Sequence, residues 1–292
     1  MGTLGAGGKG YFVLDVTRPE NIEESQAASV ALIDTTALAD EDLGHQFQQP
    51  ALDSFSGRAL QVALLNNERK ALILGNGYNS KSEKAVLWIQ YLDGDKAILK
   101  IPAPAMQRAG TGNGLSAPRP VDGDGDGKVD LVYAGDLLRN LWKFDLSNSD
   151  SRKWKATMGP VAPKRSTAAA SSLDNKPLFA AGAAQPITAA PVVVGHPRGG
   201  YMVVFGTGRL FASSDEGSTA DQYLYGIWDP ANGNTGTATL TDLVAQTIGA
   251  TPVEEADVAL RTVSRRGVSY TGSDARRRWH LKLPTAGERI VY

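Results

Sequence analysis

A short unit recurs along this 292-residue chain: a small residue and a glycine turn separate two β-rich runs, and the second run closes near an aromatic and an aspartate. It appears as Gly8-Lys9-Gly10 ahead of Tyr11 to Asp15, and as Gly75-Asn76-Gly77 ahead of Val86 to Ile89. It returns as Ala134-Gly135-Asp136 ahead of Asn140 to Asp145, and as Gly206-Thr207-Gly208 ahead of Tyr223 to Asp229. Such a unit cannot bury its own apolar faces, so copies must stack, and stacked four-stranded units are propeller blades. The second runs start at uneven intervals, so several blades carry insertions; Glu20 to Gln49 and Ser149 to Gln185 are the expected inserted stretches. The 32 glycines and 15 prolines suit a loop-rich chain of this kind. The expected fold is all-β, a modified β-propeller with irregular blades and inserted loops or short helices, with residues 1–292 as one domain. An ordinary sandwich with frequent turns is the plainer alternative. Helical period is confined to Glu20 to Val30 and Thr241 to Ile248. Trp88, Trp142 and Trp228 fall inside the unit, which predicts packing between blades and not ligand stacking.

The stretch Asp122-Gly123-Asp124-Gly125-Asp126-Gly127-Lys128-Val129-Asp130 puts carboxylates at positions 1, 3, 5 and 9 of a calcium loop and glycine at position 6. Carboxylates at alternate positions converge and repel unless a divalent cation neutralises them. Oxygen-only donors on a flexible loop select calcium over zinc or copper, and suit it better than octahedral magnesium. Asp122, Asp124, Asp126 and Asp130 are therefore the expected side-chain ligands. Position 7, Lys128, contributes only its backbone carbonyl. Position 12 is Tyr133 where an EF-hand carries Glu, so Asp130 has to do more of the coordination. Leu131-Val132-Tyr133 continues as a strand and Pro118 to Val121 lacks helical period, which places the loop in a β-hairpin. The expected calcium Kd lies between roughly 10⁻⁶ and 10⁻³ M. A solvated Asp-Gly hairpin turn is the competing reading.

Other functions are excluded on composition and spacing. Thirty Lys plus Arg against 31 Asp plus Glu leave no global field for a phosphate backbone, so no nucleic-acid partner is expected. No run approaches the roughly 18 apolar residues of a membrane span. The absence of cysteine removes disulfides, Cys-based zinc sites and thiol catalysis. Gly5 to Gly10 matches G-x-G-x-x-G but leads into a strand instead of joining a strand to a helix, which rules against dinucleotide binding. His45, His196 and His280 are far apart and have no paired spacing. Arg265-Arg266 and Arg276-Arg277-Arg278 are offset by Glu254, Glu255 and Asp257, a solvated face or a contact for an acidic partner. The chain reads as a binding module and not an enzyme. Its Gly-rich start runs straight into strand-like Tyr11 to Leu14, as in a piece of a longer protein.

Several blocks resemble the C-terminal domain of the PilY family of type IV pilus biogenesis and tip-associated adhesin proteins. They are Gly112 to Pro118, the acidic loop, Tyr133 to Asp136, Asn140 to Leu146, Asp42-Leu43-Gly44 to Pro50, and Gly75 to Ser80. Gln185 to Thr188, Phe205 to Arg209, and Gly287-Glu288-Arg289 extend the likeness over most of the chain. The resemblance implies a modified propeller with one calcium in an EF-hand-like loop. Calcium occupancy would then regulate pilus extension against retraction, and with it twitching motility and surface attachment. It further implies an exported protein at the periplasm, outer membrane or cell surface, with pilin, minor pilins or a surface receptor as partners. Two rival readings are a quinoprotein-type dehydrogenase, from the Trp-bearing turn in Ala134 to Leu146, and an integrin-like adhesion propeller. The first wants adjacent cysteines, which are missing, and the second repeats its Asp-rich loop in several blades, where this chain has it once.

Overall fold

The computed structural model describes residues 1–48, 62–104, 112–161, 164–167, 169–230, 233, 237–249, 253–255, 258–270 and 278–291. Short strands follow one another in four successive sheets. The first holds β1 (Gly2–Thr3), β2 (Tyr11–Leu14) and β3 (Ala31–Asp34). The second is a meander of β4 (Ala63–Leu64), β5 (Lys70–Gly75), β6 (Val86–Tyr91) and β7 (Ile98–Pro102). The third holds β8 (Arg119–Val121), β9 (Leu131–Gly135), β10 (Asn140–Asp145), β11 (Lys155–Ala156) and β12 (Phe179–Ala180). The fourth runs β13 (Val192–Gly195), β14 (Tyr201–Gly206) and β15 (Tyr223–Asp229), and is completed by β16 (Val244–Gln246). A small ribbon, β17 (Val253–Glu255) and β18 (Val258–Leu260), precedes β19 (Trp279–Lys282), which returns to lie between β15 and β16.

Strand alternation explains how the sheets stack. Successive side chains leave a strand on opposite faces, so an interior sheet feeds two cores. On β5, Leu72 and Leu74 join Tyr11, Val13 and Trp88 in a core between the first and second sheets. Ala71 and Ile73 of the same strand face the other way and pack with Val132, Ala134, Trp142 and Phe144 of the third sheet. The third sheet repeats the division: Leu131, Tyr133 and Leu141 turn to Val203, Phe205, Tyr225 and Ile227 of the fourth. Each core thus sits between neighbours in chain order, as in propeller blades. Trp88 and Trp142 are fully enclosed in cores between sheets, as the repeat predicts, whereas Trp228 is buried against His196 and Tyr270 and belongs to none of these cores.

The glycine of the repeat has a specific cause. A Cβ on Gly75 would come within 2.0 Å of the Ser116 carbonyl oxygen, on Gly135 within 2.2 Å of Ile187 Cγ2, and on Gly206 within 2.4 Å of Ile290 Cβ. At each point another chain segment crosses the end of an inner strand, and the following residue ties it down. Leu115 N–H donates to Asn76 Oδ1, Ile187 N–H to the Asp136 carbonyl, and Ile290 N–H to the Thr207 carbonyl, each at 3.0 Å. Three copies of one crossing account for the resemblance of the three motifs.

Helix is sparse. Single turns at Pro19–Asn21 and Glu24–Gln26 lead into α1 (Ala27–Val30), in the first predicted helical stretch. A second short helix is α2 (Ser213–Glu216). The predicted helix over Thr241 to Ile248 does not form as such: one 3-10 turn at Leu240–Asp242 gives way to β16. Val244, Ala245 and Gln246 pair in parallel with Trp279, His280 and Leu281, so partners from the far end of the chain override the local period. Of the basic cluster, Arg276 and Arg277 lie outside the described residues, as does Asp257.

Candidate metal centre

The acidic loop joins β8 to β9, which pair antiparallel with Val121 opposite Leu131, so it is a hairpin loop as expected. Gly125 and Gly127 take φ values of +80° and +84°, a left-handed backbone that a side chain resists. The loop then coils on its own carboxylates. Asp122 accepts the Gly125 N–H at 2.7 Å and the Gly127 N–H at 2.8 Å, one on each oxygen. Asp130 Oδ2 accepts the Gly123 N–H at 2.8 Å. The result brings one oxygen each from Asp122, Asp124 and Asp130 within 4.8 Å of one another. Oxygens ligating one calcium at about 2.3–2.6 Å lie no more than about 5 Å apart, so a single ion can span this set.

Neighbouring elements hold the loop from two sides. Asn66, after β4 of the second sheet, donates its Nδ2 to Asp130 Oδ1 at 3.0 Å and also to the carbonyls of Val129 and Leu146. Val129 N–H donates to the Leu64 carbonyl at 2.9 Å. Lys128 pairs its ammonium with Glu68, and the same ammonium lies 3.9 Å from Asp126 Oδ2. From the fourth sheet, Tyr201 approaches so closely that a Cβ on Gly123 would lie 3.4 Å from its hydroxyl. Burial, then the charges of Asp130 and Asp122, push the Tyr201 phenol above its usual range. Burial likewise raises the Asp130 carboxyl against the hydrogen bonds from Gly123 and Asn66, and the charge of Asp124 adds to the rise. A cavity of about 600 Å³ opens beside the loop, lined by Asp124, Asp130, Lys164, His196, Tyr201 and Asp229.

Asp126 stands apart from the converged trio. It is ion-paired with Lys164, whose ammonium also lies 2.9 Å from Asp124 Oδ2. A cationic group thus already rests on these carboxylates, and they hold it above the usual lysine range, Asp126 first and Asp124 next. Tyr133, at position 12, is buried and donates its hydroxyl to Asp229 Oδ2 at 2.7 Å, so it is committed elsewhere. Asn66, Tyr201 and Lys164 each lie far along the chain from the loop and carry no motif, so no local pattern points to them. The three histidines remain separate: His45 Nδ1 lies 3.0 Å from the Gly5 carbonyl oxygen, His196 packs on Trp228 and Tyr270, and His280 belongs to β19. Gly5–Gly7 forms a 3-10 turn between β1 and β2, not the start of a nucleotide-binding helix.

Stacked, mostly antiparallel sheets, with one hairpin carrying a coiled acidic loop, define a β-propeller domain with a candidate cation site. Residues 1–258 match the family model described as the PilY1 beta-propeller domain. The chain belongs to the PilY1 family. It is 37% identical over 309 aligned positions to the type IV pilus biogenesis factor PilY1 of Pseudomonas aeruginosa strain PAO1, covering 98% of this chain and 25% of that protein. A PilY1 homolog of Xylella fastidiosa is 36% identical over 300 positions, covering 99% of this chain and 18% of the relative. The crystal structure of the Pseudomonas aeruginosa PilY1 C-terminal domain superposes with a TM-score of 0.79 at 34% identity, over 99% of this chain and 60% of that one. The chain therefore spans a quarter or less of the length of these curated relatives. Among the described residues no helix is long and apolar enough to cross a membrane.

Proposed function

We propose that this chain is a calcium-binding propeller module serving type IV pilus biogenesis, and that it works by binding and conformation, not catalysis. The observation that carries the reading is the convergence of Asp122, Asp124 and Asp130 on one hairpin loop in a member of a family whose relatives are named pilus biogenesis factors. Asp126 and the Lys128 carbonyl complete the proposed ligand set. Bound calcium would neutralise carboxylates that otherwise repel one another, and so order the loop. Because Asn66 and Tyr201 brace the loop from the second and fourth sheets, ordering it would stiffen the junction of three sheets. Through that junction calcium would bias pilus extension against retraction, and with it twitching motility and surface attachment. Shared cores between successive sheets support residues 1–292 acting as one unit. The proposed setting is an exported, pilus-associated protein whose partners are pilin, minor pilins or a surface receptor.

Calorimetric calcium titration with a parallel thermal melt tests the site on the wild type and on Asp124→Ala. One calcium per wild-type chain is expected, none for the variant, and about 2.7 kcal/mol of added stability at 100 times the Kd. An absence of binding at millimolar calcium would sink the reading. The pilus role is tested by Asp130→Ala at native expression in the full-length protein: impaired twitching supports it, and unchanged twitching removes the regulatory part.

A further inference from the structure

Lys164 lies in the long connection between β11 and β12, 38 residues from Asp126, and nothing in the calcium-loop pattern calls for it. Its ammonium pairs with both Asp124 and Asp126, two of the four carboxylates assigned to a cation. The backbone that delivers it is fixed without help from the side chain. Ser149 N–H donates to the Lys164 carbonyl at 2.8 Å, and Asn148 Nδ2 donates to the Ser166 carbonyl at 3.0 Å. The side chain is 35% exposed, so the ammonium can pass into water without disturbing any core. An ammonium is a compact positive charge, so it neutralises these carboxylates and repels a second cation brought in among them.

The geometry points to Lys164 as a tethered counter-cation that occupies the acidic loop in the calcium-free protein and has to be displaced for calcium to bind. The inference rests on the calcium reading above and adds a control to it. Two consequences follow. The displaced ion pairs subtract from calcium affinity, so Lys164 sets the calcium concentration at which the loop switches. Displacement also frees Asp126 to join the other three carboxylates and releases an ammonium beside the cavity that Asp130, His196 and Tyr201 line. Calcium-free and calcium-bound forms would then differ in where one positive charge sits, as well as in the order of the loop.

The test compares wild type, Lys164→Gln and Lys164→Arg by calorimetric calcium titration, with acylation of lysines by an amine-reactive ester read by mass spectrometry. Lys164→Gln is expected to bind calcium about three- to tenfold more tightly, the scale of two partly exposed ion pairs. Lys164→Arg, which keeps the charge, is expected to bind no more tightly than wild type. In the wild type, acylation at Lys164 should rise at saturating calcium while other lysines are unchanged. Equal or weaker binding by Lys164→Gln, or calcium-independent acylation, would overturn the role of Lys164 and leave the site standing. Binding by none of the three proteins would overturn both.

Discussion

The indole Nε1 of Trp142 donates a 2.8 Å hydrogen bond to Asp136 Oδ2 across the turn between β9 and β10. Asp136 is fully buried, and it also receives the Asn140 N–H at 2.8 Å, Asn140 Nδ2 at 2.9 Å and Asn113 Nδ2 at 3.2 Å. Burial pushes its carboxyl up, while these N–H groups act in the opposite sense. No acceptor for a carboxyl proton appears among these partners, so the ionised form fits best. Asp136→Asn would place an N–H against donors, and is expected to cost about 2–4 kcal/mol in chemical denaturation. Trp142→Phe removes one donor and also leaves a cavity in the enclosed core, so it too should be destabilising in the same measurement.

A second buried network joins the third and fourth sheets. Lys143 on β10 lies 2.8 Å from Asp229 Oδ2 on β15, and donates to the Gly159 carbonyl at 2.7 Å. Replacing Lys143 with Met leaves the Asp229 carboxylate buried with Tyr133 as its remaining donor among the described residues, an expected loss of about 3–5 kcal/mol. The double change Lys143→Met with Asp229→Leu should recover part of that loss, since it removes the buried charge but takes the partners from the Tyr133 hydroxyl and the Gly159 carbonyl. A double-mutant cycle by urea denaturation measures it.

His280 gives the expected pH dependence. Burial holds its imidazole below the ordinary 6.5, and its Nδ1 has no partner among the described residues. The folded pKa is the lower one, so the unfolded chain binds the extra proton on acidification. The stabilising contribution is present above about pH 6.5 and is lost as pH falls through the folded value. Thermal melts between about pH 7.5 and 5 should show a smaller drop in Tm for His280→Gln than for wild type.

The crossings at the strand ends should tolerate no side chain. Gly75→Ala drives a methyl group into the backbone carbonyls of Ser116 and Leu115, which cannot move aside as a side chain could. A loss of about 3 kcal/mol or more is expected. An alanine at Gly195, where a Cβ meets nothing within 4 Å, is the control and should shift Tm little.

Much of this was legible because it is local. The alternation of Asp and Gly in residues 122–130, the strand that follows it, and the buried tryptophans all follow from neighbours in sequence. The glycine of the repeat was visible as a motif, but its cause, a crossing segment at Ser116, Ile187 or Ile290, was not. Long-range pairs were invisible for the same reason. Val244 to Gln246 became a strand because β19 lies beside it, Asn66 reaches the acidic loop only through the stacking of sheets, and Lys164 reaches it from a distant connection of the same sheet. A buried lysine such as Lys143 carries no signal until its partner on β15 is known.

The brace on the acidic loop also bears on time. Asn66 and Asp130 are 64 residues apart, so their link is a non-local one and is expected to form late on the folding path. Ties made after the barrier leave the folding rate alone and hold back unfolding. A filled loop would therefore act as a latch on the lifetime of the folded domain, with calcium lowering the unfolding limb of a chevron while the refolding limb hardly moves.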